Sequence, residues 1–235
     1  MEFVKVTEIE HYTDTLFRFK TERPSTFRFT AGEFTMIGMG DNDVSRAYSI
    51  TSGPYDEYLE FYSIKVPDGP LTSRLQNIAI GDEIEIGTKP TGTLTLANLD
   101  LGGNLWLLAT GTGIAPFISL LRDPYTYDAF DSIRVIWSVR YPKELEAYDQ
   151  FLKEQDILYT PTVTRDSAWQ GMNKRITVQM SDQQQDILPV KDKIMVCGSM
   201  PFNEDIQNML NSWGWQEGTR KTAGTFVQEK AFTTK

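Results

Sequence analysis

The pattern of apolar residues changes character at Gly102-Gly103, and no other feature of the chain constrains its fold as much. Before that point apolar residues alternate or cluster in short β-rich runs: Thr15-Leu16-Phe17-Arg18-Phe19, Phe34-Thr35-Met36-Ile37, residues 58–64 and Glu83-Ile84-Glu85-Ile86. Turn signals at Ala31-Gly32, Ser52-Gly53-Pro54, Asp68-Gly69-Pro70 and Ile80-Gly81-Asp82 divide the runs at spacings suited to a small antiparallel barrel, and only residues 71–80 read as a short helix. After it, buried runs at 105–109, 133–137, 158–163 and 194–197 alternate with amphipathic stretches. Leu145, Tyr148, Phe151 and Leu152 share one helical face, as do Ile206, Met209, Leu210 and Trp213. Strands alternating with helices require a parallel sheet covered on both faces. The expectation is two domains with no repeat or low-complexity linker: an antiparallel β-barrel over 1–98, then a Rossmann-like α/β parallel-sheet domain over 99–235. Trp106, Trp137 and Trp213 fall on core positions, whereas Trp169 lies in a polar loop.

Composition narrows the chemistry. With 40% hydrophobic and 12% aromatic residues in 235, there is apolar surface enough for two cores. The 23 basic residues against 32 acidic ones leave a net charge of -9, which repels a polyphosphate backbone and argues against nucleic acid as a partner. One Cys and one His cannot build a disulfide framework, a four-ligand zinc site or a Cys-ligated iron–sulfur cluster, so no metal site is expected. His11 lies far from every motif and reads as structural or surface. Met1-Glu2-Phe3-Val4-Lys5-Val6 lacks a basic region followed by an apolar core, and no stretch nears the roughly 20 apolar residues of a membrane span. A cytoplasmic monomer without membrane attachment is expected.

Thr110-Gly111-Thr112-Gly113-Ile114-Ala115-Pro116 follows a buried run and leads into a helix, where free backbone N–H groups favour an anion such as a pyrophosphate. Pro116 stands where the usual dinucleotide fingerprint has Gly, and the next strand ends in Ser138-Val139-Arg140, without the acid that grips a ribose 2′-hydroxyl. A plain NAD-type site is therefore disfavoured. In Arg46-Ala47-Tyr48-Ser49 an aromatic stands between a cation and a hydroxyl, able to stack on a flat ring, hold a phosphate and bond a polar edge; taken alone, Tyr48 is equally well ordinary strand packing. Residues 66–75 read as a turn into a helix with spare hydroxyls.

These segments, in this order over essentially the whole chain, resemble the ferredoxin-NADP reductase family, in its bacterial flavodoxin/ferredoxin reductase branch. The resemblance implies that Arg46-Ala47-Tyr48-Ser49 and Gly69-Pro70-Leu71-Thr72-Ser73 bind FAD, with Ile64, Lys65 and Val66 lining its ribityl and diphosphate side. It implies that Thr110, Gly111, Thr112 and Gly113 underlie the NADP pyrophosphate, and that Cys197-Gly198 with Met200 faces the nicotinamide. Thr164-Arg165 and Lys174-Arg175 are similar to the family's 2′-phosphate pocket, and Arg140 is expected as a further NADP contact. The tail, through Ala231 and Phe232, resembles the branch in which a small residue covers the flavin and a Phe packs beside the adenine. The implied activity is transfer of electrons between NADPH and a one-electron carrier, ferredoxin or flavodoxin, with Tyr48, Ser49 and Cys197 at the reacting rings. Such carriers are usually acidic, as this chain is, so docking calls for a local basic rim; Lys20, Arg23, Arg28, Lys65, Arg74 and Lys89 are the candidates. An NAD(P)H-dependent flavin reductase or an oxygenase reductase component is the alternative on the same fold, and a non-catalytic regulatory subunit a third reading.

Overall fold

The computed structural model describes residues 1–40 and 44–230. The chain forms two compact units: Met1–Gly92 together with Ala115–Asp123, and Thr93–Ile114 together with 124–230.

In the first unit, β1 (Glu2–His11), β2 (Leu16–Glu22), β3 (Phe34–Gly38), β4 (Arg46–Ser49), β5 (Tyr58–Ile64) and β6 (Glu83–Ile86) form one antiparallel sheet in the order β4-β3-β6-β1-β2-β5. Alternation places Phe17, Phe19, Ile37, Phe61, Ile84 and Ile86 inside, all essentially inaccessible, with the Phe19 and Phe61 rings 5.2 Å apart. The end strands are drawn together just past β4, where the Thr51 N–H donates to the Glu60 carbonyl (2.8 Å) and the Glu60 N–H to Ser52 Oγ (3.2 Å). The expected barrel is thus a sheet curled until its edges bond. Residues 71–80 hold only one helical turn, α1 (Thr72–Leu75).

Helix α2 (Ala115–Leu121) also packs in this unit, and every one of its residues is buried. Beyond its end Arg122 donates to Glu60 Oε1 (3.3 Å) and to the Thr51 carbonyl (3.2 Å), while Ser119 Oγ donates to the Ser52 carbonyl (2.7 Å). This explains why β5 is buried on both faces, Glu60 included.

The second unit is a parallel sheet of β7 (Asn104–Thr110), β8 (Ser132–Val139), β9 (Leu158–Val163), β10 (Asp192–Gly198) and β11 (Phe226–Lys230), ordered β11-β10-β7-β8-β9. α3 (Pro124–Asp128), α4 (Asp149–Glu154), α5 (Ile176–Asp182) and α6 (Met200–Ser212) lie between the strands in sequence. The face shared by Leu145, Tyr148, Phe151 and Leu152 is broken into a 3-10 turn, Pro142–Leu145, and α4, because the backbone leaves helical geometry at Tyr148, with φ -141° and ψ 0°. On α6, Ile206 and Leu210 are buried and Met209 partly so; Trp213 is also only partly buried, and Trp215 beyond it takes the core position.

Register in this sheet is pinned at its amino end. Buried Asp192 accepts from Asn104 Nδ2 (2.9 Å), Trp106 Nε1 (3.1 Å) and the Leu188 N–H (2.8 Å). Five residues on, that register sets Cys197 between Ala109 of β7 and Glu229 of β11. Since the chain runs β7, β8, β9 to one side and returns with β10 on the other, the sheet's switch point lies between the carboxyl ends of β7 and β10, where parallel sheets bind ligands. No helix among the described residues is long and apolar enough to cross a membrane, and none of their His, Cys, Asp and Glu side chains cluster as a metal site.

Candidate active site

At the switch point, β7 runs into a 3-10 turn, Gly111–Ile114, before α2 begins. The helix expected directly after the glycines is delayed by one turn and is only seven residues long, so loop peptides rather than a helix dipole are the donors available here. Gly111 has φ +53°, in the left-handed region that glycine adopts freely, and a Cβ built there would meet nothing within 4 Å: the space over the loop is open. Gly113 is glycine for the opposite reason. A Cβ there would stand 2.6 Å from the Cys197 carbonyl carbon and nearer still to its oxygen. Gly198 reciprocates, since its Cβ would collide with Thr110 Oγ1 and lie 2.7 Å from Phe202. The Ser199 N–H donates to Thr110 Oγ1 (3.2 Å), closing the corner.

Cys197 itself is 1% exposed, and burial drives its thiol well above the usual range, so it stays protonated at neutral pH. Met200, opening α6, is exposed, and fully buried Asn203 ties that helix to β11 by donating to the Glu229 carbonyl (3.0 Å).

The cations stand at the neighbouring strand ends. Thr164 donates to the Val139 carbonyl through its N–H and its hydroxyl, and the Arg165 N–H donates to the Arg140 carbonyl (2.9 Å), so β9's exit is stitched to that of β8. The loop that follows returns to β9: the Val163 N–H donates to the Met172 carbonyl (3.0 Å) and Thr162 Oγ1 to that of Lys174 (2.8 Å). Arg165 and Lys174-Arg175 thereby flank the closed base of one loop. Arg165 and Arg175 are exposed, and neither guanidinium has a partner among the described residues. Lys174, in contrast, pairs with Asp182 (2.7 Å), and Arg140 with Glu144 (3.1 Å), whose carboxylate is only 7% exposed and also accepts the Arg140 N–H. Trp169 folds over Gly171 and donates to the Met172 carbonyl (3.0 Å).

In the first unit, Tyr48 is 9% exposed and meets Phe61 edge-on at 6.5 Å. Burial pushes its phenol up to about 12. Much of the ring is thus core, and only a remnant of it is open to a ligand. Ala47 and Ser49 are half-buried, Arg46 is exposed, and β4 ends the sheet order, with β5 drawn up beside it. Gly69 is required by its turn, where a Cβ would strike Thr72 Oγ1 and approach Val66 at 3.1 Å. Leu71 is a core side chain at 1% exposure, so its backbone alone is available. Lys65 spends its N–H on Thr15 and its ammonium on the Thr13 carbonyl (2.7 Å), while Ile64 and Val66 are half-buried beside it. Among the described residues the hydroxyls of Ser49 and Ser73 have no hydrogen-bond partner. An exposed guanidinium, an aromatic edge and two unspent hydroxyls are a donor set that fits a phosphorylated cofactor with a flat ring. Ala231 and Phe232 lie outside the described residues.

Several engaged residues carried no motif signal: Trp137, whose indole N–H reaches the Gly111 carbonyl (2.8 Å), Glu144 beneath Arg140, and Asp192 at the sheet's base. The Arg140/Glu144 spacing of four was the one legible hint. Of the expected basic rim, Lys20 pairs with Glu8, Lys65 is spent on Thr13, and Arg23 and Arg28 donate to backbone carbonyls.

Comparison with known proteins agrees with this geometry. Residues 1–95 match the oxidoreductase FAD-binding domain family and residues 107–208 the oxidoreductase NAD-binding domain family. The flavodoxin/ferredoxin–NADP reductase of Rhodobacter capsulatus is 45% identical, with 97% of this chain and 92% of that protein covered. The ferredoxin–NADP reductase of Azotobacter vinelandii is 39% identical, with 98% and 97% covered. A crystal structure of a ferredoxin NADP+ reductase from Neisseria gonorrhoeae with bound FAD and NADP superposes with a TM-score of 0.91 over 98% of both chains, at 29% identity. A curled antiparallel sheet, a parallel sheet with an interlocked glycine corner, and identity of this extent identify the chain as a member of the flavodoxin/ferredoxin–NADP reductase family.

Proposed function

We propose that the protein is an FAD-dependent oxidoreductase that exchanges electrons between NADPH and ferredoxin or flavodoxin. The observation that carries this reading is the mutual packing of Gly113 and Cys197 at the switch point, which presents an open glycine loop beside a small neutral thiol. Bound FAD would supply a ring that accepts a hydride and releases electrons singly. The chain's own residues hold and orient. Arg46 and Ser73, with the Gly69–Thr72 turn, serve the phosphates and ribityl chain. The edge of Tyr48 bounds the ring, and the Ser49 hydroxyl donates at its polar edge. In the second unit, Thr110 to Gly113 carry the coenzyme pyrophosphate, and Cys197, Gly198 and Met200 bound the nicotinamide; a thiol that keeps its proton places no charge against a ring whose charge changes in the reaction.

Arg165 and Arg175, unpartnered among the described residues, favour NADPH over NADH, since a guanidinium fork suits a phosphate dianion. Arg140, held by Glu144, presents its remaining donors to the same group, with Thr164 and Lys174 beside it. We assign residues 1–98 to FAD, 99–235 to NADP, and a cytoplasmic, monomeric state to the protein. The test is ferredoxin- or flavodoxin-dependent reduction of cytochrome c by NADPH with purified protein, together with identification of the extracted flavin. FAD with carrier-dependent turnover is expected; FMN, or turnover without any carrier requirement, contradicts the reading.

A further inference from the structure

Trp137 is the largest of the fully inaccessible side chains, on β8 directly beside Ala109 of β7. Its one polar atom, Nε1, donates to the carbonyl of Gly111 at 2.8 Å. A buried indole N–H without an acceptor is costly, and the ring has no room to turn, so this bond dictates where the Gly111 carbonyl points. A trans peptide is planar, with its C=O and N–H directed oppositely. With the Gly111 carbonyl drawn toward β8, the N–H of Thr112 in the same peptide unit faces away from it. Gly111 can take up that orientation because its φ of +53° suits glycine and nothing crowds its Cα. One residue on, Gly113 is fixed against the Cys197 carbonyl.

We propose that Trp137 is a positioning residue for coenzyme binding: its indole N–H locks the Gly111–Thr112 peptide so that the Thr112 N–H is presented to the pyrophosphate. The inference rests on the coenzyme reading above and deepens it. It separates two recognition tasks, because Trp137 acts on the pyrophosphate, whereas Arg165 and Arg175 act on the 2′-phosphate.

The test is calorimetric titration of wild type, Trp137→Phe and Arg165→Ala with NADP+ and with adenosine 2′-monophosphate, which lacks the pyrophosphate. Trp137→Phe is expected to weaken NADP+ by roughly 5- to 20-fold, as for one lost hydrogen bond that leaves the part-buried Gly111 carbonyl without its donor. Adenosine 2′-monophosphate is expected to bind it as it binds wild type, and flavin reduction at saturating NADPH to keep its limiting rate. Arg165→Ala is expected to weaken both ligands. Unchanged NADP+ affinity in Trp137→Phe, or equal loss of both ligands, overturns the proposal; the second result assigns Trp137 a purely structural role. A second measurement needs no variant: in 15N-tryptophan-labelled wild type, the Trp137 indole N–H is expected to resist solvent exchange and to shift with NADP+ but not with adenosine 2′-monophosphate. A fast-exchanging or unresponsive resonance refutes it. Wild type that binds neither ligand would overturn the coenzyme reading and this inference with it, whereas wild type that binds NADP+ no better than Trp137→Phe overturns this inference alone.

Discussion

Adding one methyl group at Gly113 should separate the two halves of the coenzyme corner. In Gly113→Ala the new Cβ would lie 2.6 Å from the Cys197 carbonyl carbon and 3.0 Å from Gly198 Cα, whereas ordinary contact begins at 3.4 Å. The obstacles are backbone atoms of a fully buried strand, so no side chain can swing aside. The loop and the end of β10 must part by about 0.8 Å or more to reach ordinary contact. Overpacking of this kind costs about 1–3 kcal/mol of stability. A displacement approaching 1 Å between reacting groups can slow a reaction by about 100-fold. Anaerobic stopped-flow reduction of the flavin by NADPH reads this out, with the oxidised flavin spectrum as control for the first unit. We expect reduction slowed by about 10- to 100-fold and weaker NADP+ binding, with the spectrum unchanged. Wild-type reduction kinetics in Gly113→Ala would show that the interlock does not set the reacting geometry.

Arg165→Ala should raise the NADPH Michaelis constant about tenfold or more while leaving that for NADH nearly unchanged; equal loss with both coenzymes would mean that Arg165 does not read the 2′-phosphate. Arg122→Met leaves the Glu60 carboxylate, whose side chain is 1% exposed, without its cation, and should cost about 3 kcal/mol in urea unfolding; a loss under about 1 kcal/mol would contradict a structural role for the pair. The raised Cys197 thiol predicts a pH dependence of stability. The folded state holds the proton to higher pH than the unfolded state, so stability is full below the unfolded thiol's ordinary value near 9.0 and falls as pH rises beyond it. Thermal midpoints between pH 8 and 10 should therefore fall more steeply for wild type than for Cys197→Ala, and parallel curves would refute the burial argument.

Much of this architecture was legible because periodicity is a local signal. The alternation Glu83-Ile84-Glu85-Ile86 reappears as outward and inward positions of β6, and the unbroken run at 194–197 as a strand buried on both faces. Helical lengths were less legible. The face formed by Leu145 to Leu152 satisfies helical spacing, yet the non-helical backbone of Tyr148 at the entry to α4 divides it, because spacing does not encode where a turn tightens. The glycines of the loop could be read as open backbone, but not their separate reasons: conformation at Gly111, contact with a strand some eighty residues away at Gly113. Contacts that distant leave no mark in a sequence window. For the same reason Trp137 read as core, which its ring is, while the bond made by its single N–H was invisible. Tyr48 shows the converse, since motif context marked it as a ligand ring and the fold buries most of it in the core, edge-on to Phe61.

The most direct test of the account is anaerobic titration of the purified protein with NADPH, and separately with NADH, followed by visible absorbance. A yellow protein is expected, its flavin band bleaching on NADPH addition at concentrations where NADH does little. A colourless protein, or one bleached equally by both coenzymes at equal concentration, would contradict it.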